Sequence, residues 1–305
     1  MRTENLSFSG YNDTLLPAVI WLPDNAPKAI LQITHGMTEH IGRYEAFAQK
    51  MTAQGIAVAG YDLRGHGRNS SQPDVASFGE NGWEASLQDM RLFFDFLALR
   101  FPGIPHHMLG FSLGSFLLRE YLGKWADGVS GAMIMGTGNQ PGFVLSVMMA
   151  IVKGQIQRAG FDHTTDLVRQ LSFGTYNQKF KPNRTASDWL CADAMQLDDY
   201  MADPLCRKDI SSGLFWQLLG AMKRTGGRKA CDSWNKEMPV LLISGQDDPV
   251  GDMGKGVLAV KKQLDCAGMK RVSVHLLPGA RHILLSENES GAADKAYDII
   301  AEWLK

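Results

Sequence analysis

A chain of 305 residues is long enough for one large catalytic domain with an insertion, or for two ordinary domains. Hydrophobic residues make up 45 % and charged residues 21 %, and the formal net charge of −1 supplies no field to hold nucleic acid or an anionic membrane. The four cysteines (Cys191, Cys206, Cys231 and Cys266) stand far apart with no Cys-x-x-Cys pair, which favours free thiols over a disulfide framework or a zinc site.

The N-terminal Met1-Arg-Thr-Glu-Asn-Leu lacks the apolar core of a signal peptide. The longest apolar stretch, Phe143 to Val152, is about half of the roughly 20 residues that span a bilayer. A cytoplasmic protein without an integral membrane segment is the expectation. Thr14 to Leu22 is β-rich and stops at Pro23-Asp24-Asn25, and Ala29 to Thr34 is a short buried strand running into His35-Gly36. Tyr44, Phe47, Ala48 and Met51 recur at helical spacing before Gly55. Ile56 to Tyr61 reads as a strand, followed by the loop Asp62-Leu-Arg-Gly-His-Gly-Arg. Trp83, Leu87, Met90, Phe94 and Leu97 form a helical stripe. His106 to Phe111 is a strand, Leu113 to Trp125 a helix and Val129 to Met135 a strand. From about residue 139 to 234 the chain reads as helices and loops without a clear buried strand. Alternation resumes with Val240 to Ser244, a helix from about Met253 to Cys266, Val272 to Leu277, and a last helix carrying Ile299, Ile300 and Trp303. Strands and helices in alternation predict a parallel sheet covered on both faces. The simplest account is one discontinuous α/β domain, residues 1–138 and 235–305, with a helical insertion at 139–234.

Gly110-Phe111-Ser112-Leu113-Gly114 is a G-x-S-x-G pentapeptide. Alone the pattern is weak, but here a buried strand runs into it and a helix runs out, the setting of a nucleophile elbow. The flanking glycines let strand and helix approach closely enough to expose the serine hydroxyl on a strained turn. A serine hydroxyl needs a base within hydrogen-bond reach, itself oriented by a carboxylate, and in such a fold the chain order is Ser, Asp, His. Leu241 to Val250 is a strand ending in Asp247 and Asp248, with Asp252 just beyond. Val272 to His282 is a strand ending in a histidine, so His282 combines chain order with position after a strand. The oxyanion of a tetrahedral intermediate needs two donors. The N–H of Leu113, at the start of a helix, is the first candidate, and that of Met37, after His35-Gly36, is the second.

With these pieces in place, the chain resembles the monoacylglycerol lipase and lysophospholipase branch of the α/β-hydrolases. The resemblance is carried by His35-Gly-Met-Thr-Glu-His40 with Gly42-Arg43-Tyr44, by Asp62 to Gly67 with Ser70, by Gly110 to Gly114, by Gly245 to Val250, and by Gly279-Ala-Arg-His282. It covers the chain from about residue 30 to its end outside the insertion, which itself resembles that of bacterial lysophospholipases at Asp188-Trp-Leu and Asp203-Pro-Leu-Cys. The resemblance implies an α/β-hydrolase fold, with a mostly parallel eight-stranded sheet, helices on both faces and a helical cap. It implies Asp248 as the acid, three residues after the strand-terminal glycine, and structural roles for His35 and His66. It further implies a small-molecule acyl ester or lipid substrate, with no cofactor and no metal. The oligomeric state leaves no mark in the sequence. The insertion is expected to cover the active site, with Phe143, Val147 and Met148 offered as acyl-chain contacts because Met-rich surfaces adapt to varied apolar ligands. A serine aminopeptidase or amidase, which would need a carboxylate cluster for a substrate amine, is the alternative. A non-catalytic ligand-binding hydrolase fold would be expected to lack a triad member.

Overall fold

Ten strands are present in the computed structural model, which describes every residue except Ser71, Pro73, Arg207 and Lys208. In chain order they are β1 (Arg2–Ser9), β2 (Leu15–Leu22), β3 (Ala29–Thr34), β4 (Ile56–Tyr61) and β5 (Val75–Ala76), then β6 (His106–Phe111), β7 (Gly131–Met135), β8 (Asp209–Ile210), β9 (Val240–Gly245) and β10 (Val272–Leu277). Eight of them form one sheet in the order β1-β2-β4-β3-β6-β7-β9-β10. The β1–β2 and β2–β4 pairs are antiparallel, and every other pair is parallel. Every residue of β3, β4, β6, β7 and β9 is buried. That burial is what unbroken apolar runs in a two-side-covered parallel sheet require.

The helices are α1 (Glu45–Ala53), α2 (Gly82–Arg100), α3 (Leu113–Lys124), α4 (Gly142–Ala159) and α5 (Asp166–Ser172), then α6 (Ala194–Ala202), α7 (Ser212–Thr225), α8 (Lys255–Cys266) and α9 (Ala292–Trp303). Leu87 and Phe93 of α2, Phe116 of α3 and Val260 of α8 pack on one face of the sheet. Phe47 and Met51 of α1 and Ala296 and Ile300 of α9 pack on the other. This is the α/β-hydrolase arrangement. No helix among the described residues is long and apolar enough to cross a membrane.

Helices α4 to α7 lie between β7 and β9, where alternation breaks off in the sequence. The buried side chains of these helices and their connections do not form a separate core. Leu145, Val152, Val168, Leu214 and Phe215 join the cluster under α2, α3 and α8, whereas Trp189, Leu190, Leu197 and Tyr200 join the opposite one.

Three local readings need correction. Arg2–Ser9 is a strand, paired along its whole length with β2. Its polar side chains face outward at the sheet edge, so no apolar run marked it. The insertion contains one short strand, β8, which pairs with β5. Helix α8 starts at Lys255 because Asp252, Met253 and Gly254 all hold positive φ, which no α-helix accommodates.

Candidate active site

The elbow follows from two close approaches. A Cβ on Gly110 would lie 2.3 Å from the Gly114 carbonyl oxygen, and one on Gly114 would lie 2.1 Å from that of Thr34. Only glycine lets β6, the turn and α3 come this near to each other and to β3. Between them Ser112 sits at φ 51° and ψ −115°, a left-handed conformation rare for a residue with a Cβ. Its N–H donates to Met135 O of β7 at 2.9 Å, which ties the strained residue to the sheet.

The loops after β9 and β10 bring Asp248 and His282 to this serine. His282 Nδ1 lies 2.9 Å from Asp248 Oδ2, and His282 Nε2 lies 2.9 Å from Ser112 Oγ. A carboxylate only accepts, so Nδ1 carries the proton and Nε2 presents its lone pair to the serine hydroxyl. Asp248 is completely buried, with Val250 N–H on Oδ1 at 2.9 Å and the Ser244 hydroxyl on Oδ2 at 3.3 Å. Asp247 uses its own N–H to bond Ala280 O, and Asp252 is exposed beside Lys179. The imidazole of His282 lies against the tilted rings of Phe111 and Trp189, with ring centroids at 4.9 and 5.3 Å.

On the other side of Ser112 the loop after β3 is fixed by His35. Its Nδ1 lies 2.7 Å from Gly36 O and its Nε2 accepts Leu63 N–H at 2.9 Å. The carbonyl requires a donor, so His35 is the neutral Nδ1–H tautomer, and burial lowers its pKa in keeping. Gly36 C=O and Met37 N–H share one peptide plane. Fixing the carbonyl therefore aims the N–H the opposite way. No acceptor among the described residues takes the Met37 N–H. The Glu39 carboxylate holds the same loop from within, accepting Gly36 N–H at 2.6 Å and the Tyr44 hydroxyl at 2.8 Å.

Ser112, His282 and Met37 open on a cavity of about 710 Å³ whose apolar wall includes Phe111, Phe173, Trp189 and Ile283. Asp166, Arg169 and Asp209 also line it. Phe143, Val147 and Met148 do not line it. Helix α4 packs on α7 through the face bearing Leu145 and Val152, and Met148 lies against the core cluster. Phe143 and Val147 fall on the opposite side of the helix, 77 % and 47 % exposed. Three contributors had no sequence assignment. Trp189 covers the imidazole. Glu287 bridges Arg281 N–H and Ala192 N–H. Tyr200 meets Thr38 from a helix 162 residues away. Trp189 appears in the sequence only within the Asp188-Trp-Leu resemblance, and nothing in spacing marks the other two.

His40, Asp203 and Cys206 are the described residues whose donor atoms come within reach of a shared metal ion. His40 Nε2 already bonds Asp203 Oδ2 at 2.8 Å, and the positive charge of the Arg43 guanidinium acts on Cys206. A cation there would have to break the first contact and sit beside the second, so the donor set suits a hydrogen-bonded latch better than a metal.

The family model for serine aminopeptidase S33 hydrolases matches residues 25–289. The chain belongs to this family. It is 24 % identical to the monoacylglycerol lipase of Mycolicibacterium smegmatis over 99 % of this chain and 97 % of that protein. It is 25 % identical to human monoglyceride lipase over 88 % of this chain and 79 % of the relative. Among solved structures, a thermostable carboxyl esterase from Bacillus coagulans in complex with glycerol superimposes with a TM-score of 0.90 at 26 % identity, covering 99 % and 98 % of the two chains. The protein is thus a monoacylglycerol lipase-like serine hydrolase of the lipase and esterase type.

Proposed function

We propose that the enzyme hydrolyses monoacyl lipids or similar apolar acyl esters, as a monoacylglycerol lipase or lysophospholipase, through an acyl-enzyme on Ser112. The observation that carries this reading is the unbroken relay Asp248–His282–Ser112 opening on a large, mainly apolar-walled cavity. Ser112 Oγ attacks the ester carbonyl while His282 Nε2 takes its proton, and buried Asp248 stabilises the imidazolium. Met37 N–H and Leu113 N–H receive the charge on the carbonyl oxygen. His282 then returns the proton to the leaving alcohol, and water repeats the sequence to free the acid. The aromatic wall at Phe173 and Trp189 receives the acyl chain in place of Phe143, Val147 and Met148.

The test is a hydrolysis panel across acyl lengths and head groups with Ser112→Ala as the blank. Wild-type protein is expected to favour apolar monoacyl esters, and the variant to lose about four orders of magnitude in kcat or more. Full turnover by the variant would refute the assignment.

The family's name favours a second reading, a serine aminopeptidase. It needs an unpaired carboxylate to hold a substrate amine. The acids of the cavity are engaged: Asp166 and Asp209 both pair with Arg169, at 2.5 and 2.8 Å, and Glu39 is buried on Gly36 and Tyr44. A clear preference for aminoacyl amides over fatty acyl esters would reverse the order of the two readings.

A further inference from the structure

We propose that Tyr200, on cap helix α6, is a positioning residue for hydrolysis that holds, through Thr38, the peptide geometry of the Met37 oxyanion donor. The inference rests on the ester-hydrolase reading above and concerns how its oxyanion site is built.

Thr38 has φ 64°, a left-handed conformation that a β-branched residue strongly disfavours. Glycine would adopt it without strain, so the side chain must return something. Its hydroxyl lies 2.6 Å from Met37 O and 2.7 Å from the Tyr200 hydroxyl. The carbonyl can only accept, and a hydroxyl has one proton to give. The shorter contacts set the direction of the relay: Tyr200 O–H donates to Thr38 Oγ1, with Thr38 O a longer alternative at 3.5 Å, and Thr38 O–H donates to Met37 O. Tyr200 is buried, and burial holds its phenol protonated by raising its pKa. The Arg43 guanidinium, 4.8 Å from the Tyr200 ring centroid, holds the ring in place.

Two clamps thus bracket Met37. His35 fixes the peptide plane before it, from the core. The Tyr200–Thr38 relay fixes the plane after it, from the cap. Releasing the second leaves His35 alone to aim Met37 N–H, so the donor is held less firmly against the developing oxyanion, a loss felt in the transition state and not in ground-state binding.

The experiment compares Tyr200→Phe, Thr38→Val and Thr38→Ser with wild type on a short-chain ester, together with affinity for an alkyl trifluoromethyl ketone. Ser112 Oγ adds to that ketone's carbonyl carbon, the π pair moves onto oxygen as an oxyanion, and the serine proton passes to His282, with no leaving group. Tyr200→Phe and Thr38→Val are expected to lower kcat about tenfold or more, short of the hundred- to thousandfold cost of deleting an oxyanion donor. They are expected to weaken the ketone by a similar factor, with KM changed by less than about twofold. Thr38→Ser, which keeps the hydroxyl, should restore most of what Thr38→Val loses. The double variant should be no worse than the worse single one, since both break one relay. Folded Tyr200→Phe and Thr38→Val proteins with wild-type kcat and ketone affinity would overturn the proposal, as would a rise in KM alone. If Tyr200→Phe does not fold, the Thr38→Val and Thr38→Ser pair decides. An inactive Ser112→Ala beside a fully active Tyr200→Phe refutes the positioning role alone. An active Ser112→Ala refutes the hydrolase reading itself.

Discussion

At Asp248, three donors share two carboxylate oxygens: Val250 N–H on one, Ser244 O–H and His282 Nδ1–H on the other. An amide in its place has the same shape but only one accepting atom. Asp248→Asn is therefore expected to leave the melting temperature within a few degrees of wild type while favouring the wrong His282 tautomer. A loss of about four orders of magnitude in kcat is the expected result on an ester substrate. A change of less than tenfold would show that the carboxylate is dispensable. At this scale the sequence is informative only where chain order constrains it. Ser112 and His282 are marked by their place after strands, whereas Asp247 and Asp248 differ by one step of loop register, which no periodicity resolves. Thr38 and Tyr200 are beyond such reasoning, because their contact joins positions 162 residues apart through a conformation that sequence pattern does not encode.

The elements were more legible where burial is two-sided. The central strands declare themselves as apolar runs because both faces meet helices, and the helical stripes on α2 and α9 follow from one-sided burial. Edge strand β1 escaped because one-sided pairing at a solvent edge permits Arg2, Glu4 and Asn5. The apolar run of α4 misled for a related reason. Its composition says that it is apolar, but only the position of α7 says which side is buried. The elbow offers a direct test at this scale. A methyl on Gly114 would meet the Thr34 carbonyl at 2.1 Å, and this neighbour is strand backbone with nowhere to retreat. Gly114→Ala is expected to cost about 3 kcal/mol of stability or more, read as a lowered denaturation midpoint. It should also lower kcat, because the turn carrying Ser112 must open. An unchanged midpoint would mean that β3 and α3 are less firmly packed than the distance implies.

For the whole molecule, the packing of β6 has a consequence for acid stability. His106, stacked on Phe94 at 4.1 Å, and His107 are buried, and burial lowers their pKa values from 6.5 to about 3 and about 4. Below pH 6.5 the unfolded chain takes up protons that the folded protein refuses, so stability falls as pH drops through that window. Together the two residues are expected to remove a few kcal/mol between pH 6.5 and pH 4, followed by urea midpoints at each pH. His106→Phe should flatten the profile, and an equally steep profile in that variant would place the sensitivity elsewhere.

The insertion between β7 and β9 is often the part of such a molecule that invites exchange, since it leaves the sheet at one point and returns at another. Here its buried side chains belong to two clusters on opposite faces of the sheet, and it is stitched to the His282 loop and to the loop after β3. Leu190 O accepts Ile283 N–H at 2.7 Å, Asp188 O accepts the Arg281 guanidinium at 2.5 Å, and Asp203 holds His40. For protein engineering this makes residues 188–203 part of the catalytic chassis rather than of the removable hood. A chimera intended to change the acyl preference should take its foreign sequence from α5 and the loop after it, which carry Phe173, and splice back to the native chain ahead of Asp188.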